Sequence, residues 1–152
     1  MSNRKPIEDT PALISADDAP PCLYLRMRLA SRRLLTHYEA HLAPSGVSMA
    51  QFGLLAGIME EPDLTMSRLA EKRELSPSTL TRTLKPMEDA GWIEMRVDSE
   101  NKRVRRIALT KEGRARLRMA YAGWKQAQAE AMSIVSPRAV EQVLRASEKL
   151  PR

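Results

Sequence analysis

The amino-acid sequence predicts a mainly helical fold of the α+β class, in which one small β-hairpin lies between the fourth and fifth of six helices. Apolar residues recur at helical spacing in segments separated by Pro and Gly, and two short extended runs flank a charged turn. A chain of 152 residues can bury one core of its own. We therefore expect a single domain over 22–152, preceded by a proline-rich flexible arm over 1–21.

The first two helices are marked by breaks and by a capping signal. Residues 23 to about 42 contain neither Gly nor Pro, and residues 44–46 read Pro-Ser-Gly, which ends the first helix. Ser48 is followed three positions later by Gln51, and this spacing is typical of a capping box. We expect a second, mostly buried helix that begins there and ends near Pro62.

Two short helices with a tight connection follow. Thr65 is placed to cap the third helix, and Ser76 with Pro77 forms the N-cap and first-turn proline of the fourth. A pair of short helices joined in this way predicts a helix-turn-helix unit.

The fourth helix has an apolar face and a polar face. Taken at 100° per residue, Leu80, Leu84 and Met87 cluster on one side. The opposite side carries Ser78, Arg82 and Lys85. Pro86 lies inside the same helix, so we expect a slight kink or an early loosening of its last turn.

The hairpin is predicted from two extended runs, Trp92 to Val97 and Arg103 to Leu109, on either side of the polar residues 98–102. Because strand residues alternate between faces, Arg103 and Arg105 are expected on one side and Arg106 on the other. A helix-turn-helix followed by a hairpin is a winged helix-turn-helix, here over about 48–110.

The last part of the chain is helical. Thr110 is placed to cap a long helix that runs to about Val135, with Gly113 and Gly123 as its weak points. Ser136 and Pro137 then mark the start of a final short helix.

Composition narrows the range of partners. The formal charge of +6 and the isoelectric point near 9.8 favour a polyanion. Aromatic residues make up only 4% of the chain, which disfavours a protein that binds single-stranded nucleic acid and favours one that binds duplex DNA.

A single cysteine excludes an intrachain disulfide. No signal peptide or membrane span is apparent, so the sequence predicts a cytoplasmic protein without a membrane partner.

Two segments, Ser78 to Trp92 (STLTRTLKPMEDAGW) and Arg103 to Gly113 (RVRRIALTKEG), resemble the MarR family of bacterial regulators in motif and in separation. The resemblance implies a homodimer whose terminal helices, here about 22–43 and 111–150, intertwine. It also implies that the winged domains bind the two halves of a pseudo-palindromic operator in duplex DNA.

The resemblance also assigns contacts to individual residues. At the major groove it places Ser78, Thr79, Thr81, Arg82 and Lys85, and at the minor groove it places Arg103. Among the other cations of the hairpin, Lys102 and Arg105 are further candidates for DNA contact. Two positions depart from the family pattern: Pro77 stands where an Arg is frequent, and Asn101 where the wing usually has Asp. The side-chain amide of Asn101 can still accept a hydrogen bond, as the usual Asp does.

The family's effectors are small molecules, often aromatic acids or phenols, and the resemblance makes Tyr38 and His41 candidate effector contacts. Cys22 lies directly before the first helix, where the free N–H groups favour a thiolate, so a redox-sensing role is an alternative. His37 and His41 are four positions apart, a spacing that can ligate zinc. No Cys or further His supports them, so the sequence predicts neither a metal site nor a cofactor.

The same sequence bears on three other classes of function: an enzyme, a protein-binding module and an architectural DNA protein. No nucleophile motif, catalytic constellation or Gly-rich phosphate loop is visible, which argues against an enzyme. The exposed cations argue against a winged helix that binds only protein. A non-specific architectural DNA protein remains an alternative to a sequence-specific repressor that an effector releases.

Overall fold

The computed structural model describes residues 22–62 and 64–150, so the arm expected over 1–21 lies outside the described residues. The described residues belong to two compact units, divided between Arg32 and Arg33. In the first unit, the described residues form the start of the first helix, and several of their apolar side chains are exposed, namely Leu23, Tyr24, Leu25, Met27 and Leu29. The single-domain limits predicted from the sequence stay a prediction.

The described elements confirm a mainly helical fold with one hairpin. In chain order they are α1 (Leu23–Leu42), a 3₁₀ turn (Ala43–Ser45), α2 (Met49–Glu60), α3 (Met66–Lys72), α4 (Pro77–Asp89), β1 (Ile93–Val97), β2 (Arg105–Leu109), α5 (Lys111–Ile134) and α6 (Pro137–Ser147). The helix starts agree with those predicted because each signal is local. The Ser48 and Gln51 side chains form the complete capping box, and the hydroxyls of Thr65, Ser76, Thr110 and Ser136 each accept from a backbone N–H three residues on.

The core of the second unit is centred on α2, which packs against α4, α5 and β2. Its largest fully buried side chains are Leu42, Leu55, Leu64, Leu69, Leu80, Leu84, Met87 and Ile107. The apolar face predicted for α4 is therefore the buried face, and its polar side faces outward.

Within the described residues, no single helix is long and apolar enough to cross a membrane, whereas the bent pair Leu23–Ser45 and Met49–Glu60 meets the length and composition criteria only when taken together.

The last turn of α4 is not loosened by Pro86. The helix continues to Asp89, and the amide of Ala90 donates to the carbonyl oxygen of Pro86 at 3.0 Å. Proline removes only its own N–H, so the turn after it keeps its bonds. Gly91 has a φ of 70° and ends the helix in the left-handed region, where glycine carries no Cβ penalty.

The hairpin is shorter than predicted, because β1 begins at Ile93 and β2 begins at Arg105. Val97 pairs with Arg105, and Arg96 pairs with Arg106. The prediction that Arg103 lies in a strand is wrong, because side-chain hydrogen bonds hold the tip as a turn. The carboxylate of Asp98 accepts from the amides of residues 100 and 101, at 3.0 and 2.9 Å.

A second partner of β2 was not predicted. The amide of Ile107 donates to the carbonyl oxygen of Leu64 at 2.9 Å, and Thr65 forms an isolated antiparallel bridge with Arg106. The segment before α3 thus joins the wing to the helix-turn-helix unit through backbone hydrogen bonds.

The two glycines of α5 mark close approaches. A Cβ at Gly113 would lie 1.9 Å from the carbonyl oxygen of Trp92, and a Cβ at Gly123 would lie 2.2 Å from that of His41. Both neighbours are backbone atoms that cannot turn aside. Glycine therefore lets α5 approach the start of the wing at one point and the end of α1 at another.

Candidate nucleic-acid interface

The outward face of α4 carries the polar residues predicted for DNA contact. Ser78, Thr81, Arg82 and Lys85 are exposed, and Thr79 is half-buried. This placement follows from the burial of the apolar face of α4, which leaves the opposite side to solvent.

Hydroxyl groups at the start of α4 are already engaged with one another. The Oγ of Ser76 lies 3.0 Å from the Oγ of Ser78 and 2.8 Å from the Oγ1 of Thr79. Thr81 donates its hydroxyl hydrogen to the carbonyl oxygen of Pro77 at 2.9 Å. Each hydroxyl oxygen keeps acceptor capacity. Ser76 and Thr79 therefore serve the helix cap, whereas Ser78 and Thr81 present polar groups outward.

The turn and second strand of the wing present three exposed cations, Lys102, Arg103 and Arg105. The side-chain amide of Asn101 accepts from the backbone N–H of Arg103 at 3.0 Å, so the residue that replaces the usual Asp holds the turn. Arg106 points elsewhere: its Nε donates to Asp98, and this hydrogen bond lowers the pKa of the Asp98 carboxyl below its usual range.

The start of α4 and the wing form one concave surface. A recess of about 430 Å³ is lined on one side by Pro77 and Thr81 and on the other by Arg103 and Arg105. An adjoining, more open depression is lined by Pro77, Ser78, Thr81, Arg82, Lys85 and Pro86. Six of the eight predicted residues thus lie on connected surfaces, whereas Thr79 and Lys102 line neither.

The cations of this surface differ in whether they are neutralised. Lys85 lies 2.6 Å from the carboxylate of Asp89 one turn later, and this hydrogen bond raises the pKa of Lys85. Within residues 22–62 and 64–150, no carboxylate pairs with Arg82, Arg103 or Arg105. Unpaired guanidinium groups are available to a phosphate or to a base edge.

Comparison with known proteins identifies this architecture. The family model described as MarR family matches residues 47–104, which run from just before α2 to the tip of the wing. The MosR regulator (Rv1049) of M. tuberculosis, solved in complex with DNA, is 34% identical to this chain, with a TM-score of 0.76 over 84% of this chain and 94% of that one. The chain belongs to the MarR family.

Two further relatives agree with this assignment. The HTH-type transcriptional repressor Rv2887 of Mycobacterium tuberculosis strain H37Rv is 29% identical over 89% of this chain and 96% of its own length. A mutant form of MarR from E. coli, complexed with operator DNA, is 21% identical and shares the fold, with a TM-score of 0.75 over 85% of this chain and 94% of that one. The MarR-family chain is a DNA-binding transcriptional regulator and not an enzyme.

The ion pair on α4 leads to a prediction. Replacing Asp89 with Asn leaves Lys85 without its partner, so we expect severalfold tighter binding to duplexes of any sequence. The binding constant should also fall more steeply with salt, because one more cation displaces counterions. Fluorescence anisotropy at several salt concentrations measures both quantities.

The matched control is Glu112→Gln, which breaks the equivalent pair with Arg116 at 2.9 Å on α5. It makes the same change in net charge away from α4. If Asp89→Asn and Glu112→Gln have the same effect, net charge accounts for the gain and Lys85 has no specific part in it.

The structure also places the effector and redox candidates. Tyr38 donates its hydroxyl hydrogen to Gln128, and burial raises the pKa of this tyrosine. The Nδ1 of His41 lies 2.9 Å from the carbonyl oxygen of His37, and this hydrogen bond, together with Glu130, raises the pKa of His41. Cys22 is exposed before α1.

A groove between α2 and α5 contains neither Tyr38 nor His41. Its volume is about 450 Å³, and it is lined by Met49, Phe52, Gly53, Ala56, Met59, Glu60, Arg73, Leu117, Tyr121 and Trp124. The ring of Trp124 stacks between those of Phe52 and Tyr121, with centroids 5.6 Å away on each side. Arg73 was not predicted as a site residue, because the sequence marks it only as a turn position after α3.

Proposed function

We propose that this MarR-family protein is a repressor that binds a pseudo-palindromic operator as a homodimer. In each half-site α4 would lie in the major groove and the wing would reach the minor groove. The observation that carries this proposal is the connected surface on which Arg82, Arg103 and Arg105 have no carboxylate partner among the described residues. As a regulator of chromosomal DNA, the protein would act in the cytoplasm.

Each predicted contact has its own part in this model. Ser78, Thr81 and Arg82 can face base edges, while Lys85, Lys102 and Arg105 can hold phosphates. Arg103 projects from the turn and suits a narrow minor groove, where the negative potential is enhanced. Thr79 acts mainly through the cap of α4.

We further propose that an aromatic acid releases the repressor by binding in the groove between α2 and α5. The walls are mainly apolar and aromatic. Arg73 supplies a cation, and the carboxylate of Glu60, which also lines the groove, is paired with Lys72 at 2.9 Å. The Nε of Arg73 is buried and has no hydrogen-bond partner among the described residues. A buried donor without a partner is costly, and the carboxylate of a ligand would satisfy it. A flat ring could pack against Phe52 or Tyr121.

Two steps test this model. A footprint on the DNA that flanks the protein's own gene should show one protected pseudo-palindrome, and a hydroxybenzoate should remove the protection. Arg73→Gln should bind the operator normally but need about 10 to 100 times more ligand for half-release, because a charge-assisted hydrogen bond is lost. Arg116→Gln, on α5 but outside the groove, is the control.

Each step can fail separately. Equal protection of unrelated sequences, lost steeply with salt, would indicate an architectural DNA protein. If Arg73→Gln responds to ligand as the wild type does, the groove is not the effector site, and the operator model still stands.

A further inference from the structure

Three side chains with metal-ligating atoms meet where the last two turns of α1 cross α5. His37 and His41 lie one turn apart on α1, with ring centroids 4.7 Å apart, and Glu130 reaches them from α5. We propose that His37, His41 and Glu130 together bind one divalent transition-metal ion of the zinc class.

The spacing of the ligand atoms suits such an ion. The Oε2 of Glu130 lies 3.2 Å from the Nε2 of His41 and 3.7 Å from the Nε2 of His37. A tetrahedral zinc ion with bonds of about 2.0–2.2 Å separates its ligand atoms by about 3.3–3.5 Å. The candidate ligand atoms all lie within 4.8 Å of one another, so small ring rotations complete the site.

Neighbouring groups already orient two of the ligands. The Nδ1 of His41 donates to the carbonyl oxygen of His37 at 2.9 Å, and Gln126 donates to the Oε1 of Glu130 at 3.1 Å. Hydrogen bonds of this kind fix the tautomer and orientation of metal ligands in proteins. The other atom of each group, Nε2 of His41 and Oε2 of Glu130, is left facing the proposed ion.

The contact between His41 and Glu130 is suited to a positive centre between the two side chains. A carbonyl oxygen only accepts, so Nδ1 of His41 carries a hydrogen, and in the neutral ring Nε2 has a lone pair. That lone pair faces an acceptor carboxylate 3.2 Å away. Two acceptors at this distance repel each other unless a positive centre lies between them. A proton on Nε2 is one such centre, and a metal ion bound in its place is another.

His37 exchanges one partner for another when it ligates. Its Nε2 lies 3.0 Å from the carbonyl oxygen of Ala127. Ligation through Nε2 places the ring hydrogen on Nδ1 and replaces the bond to Ala127 with a bond to the ion. The ring stays neutral, so the exchange needs a change of tautomer and a small ring rotation but no change of charge.

The site is held by close helix packing. A Cβ at Gly123 would lie 2.2 Å from the carbonyl oxygen of His41, so the two backbones are in direct contact beside the ligands. The side chains of His41 and His37 are 19% and 31% exposed, which leaves room for an ion to enter and for water as a fourth ligand. The sequence could not reveal Glu130, which is 89 positions from His41.

Calorimetric titration of the chelator-treated full-length protein with Zn²⁺, without DNA, tests the proposal independently of the operator model. We expect one ion per chain. His41→Ala, His37→Gln and Glu130→Gln should each weaken binding by at least about tenfold. Glu112→Gln, another carboxylate of α5, and Cys22→Ser, which removes the lone thiol, should bind as the wild type does.

Imidazole ¹H–¹⁵N spectra provide a measurement that does not depend on the variants folding. The chain has two histidines, so Zn²⁺ should shift the ring signals of both. The proposal is overturned if neither signal moves in the wild type, or if zinc binds to the well-folded Glu130→Gln and His41→Ala variants with unchanged affinity. Loss of binding in Cys22→Ser alone would assign the ion to the thiol and also overturn it.

Discussion

Removal of residues 136–152 is expected to convert the protein to a monomer and to abolish operator binding. The reason lies in α6, which has apolar residues on one face and no buried residue. Val140, Val143 and Leu144 are 41%, 44% and 57% exposed, although their spacing is that of a helix packed against a partner. A short helix with an uncovered apolar stripe is marginal in water, so a second copy is the partner that we expect.

The same reasoning extends to other surfaces of residues 33–150. Leu34 and Leu35 on α1, and Met119 and Ile134 on α5, are also large, apolar and exposed. Paired half-sites one helical turn apart need a two-fold partner. A monomer would lose the gain from linked binding, so its operator affinity should fall by about 10²–10⁴-fold.

Substitutions in the full-length chain distinguish the effect of losing the dimer from the effect of losing residues 136–152. Val143→Glu together with Leu144→Glu should also give a monomer in sedimentation velocity at micromolar concentration. Glu141→Gln, on the polar face of the same helix, should remain dimeric. A full-length wild-type protein that sediments as a monomer would contradict the two-half-site model.

Features encoded by neighbouring residues could be predicted from the sequence, and features that need distant contacts could not. Helix starts could be predicted at four N-caps, because each cap joins residues three positions apart. These caps are Ser48, Thr65, Ser76 and Thr110. The exposed face of α4 followed from the period of Leu80, Leu84 and Met87 for the same reason. These local signals were enough to indicate the fold and most of the surface that we propose to face DNA.

Errors arose where side chains or distant strands override a local pattern. The turn held by Asp98 and Asn101 shortens β2, although the residues after it read as a strand. Leu64 pairs with Ile107 through the backbone, which leaves no mark in the residue types. The pairing of Lys85 with Asp89 matches a helical i, i+4 spacing, so the sequence did contain that signal.

The replacement Arg82→Ala is expected to reduce discrimination between operator and random DNA. Arg82 lies on the outward face of α4, within the second helical turn, and has no carboxylate partner among the described residues. An arginine in the major groove can bond to O6 and N7 of guanine at once, which is worth about 1–3 kcal/mol against a wrong base. We therefore expect about 5- to 150-fold weaker binding to the operator and relaxed preference at one position in each half-site.

Lys85→Ala is the matched comparison, because Lys85 is one turn further along the same helix and its ammonium group is held by Asp89. We expect this variant to weaken all duplexes alike and to lower the salt slope by less than one, because the ion pair with Asp89 already offsets part of the charge of Lys85. Competition titrations with operators substituted at each position, alongside a random duplex, distinguish the two effects. If Arg82→Ala weakens operator and random duplex equally, the guanidinium contacts phosphate, and the hydroxyls of Ser78 and Thr81 become the remaining readers of sequence on this face.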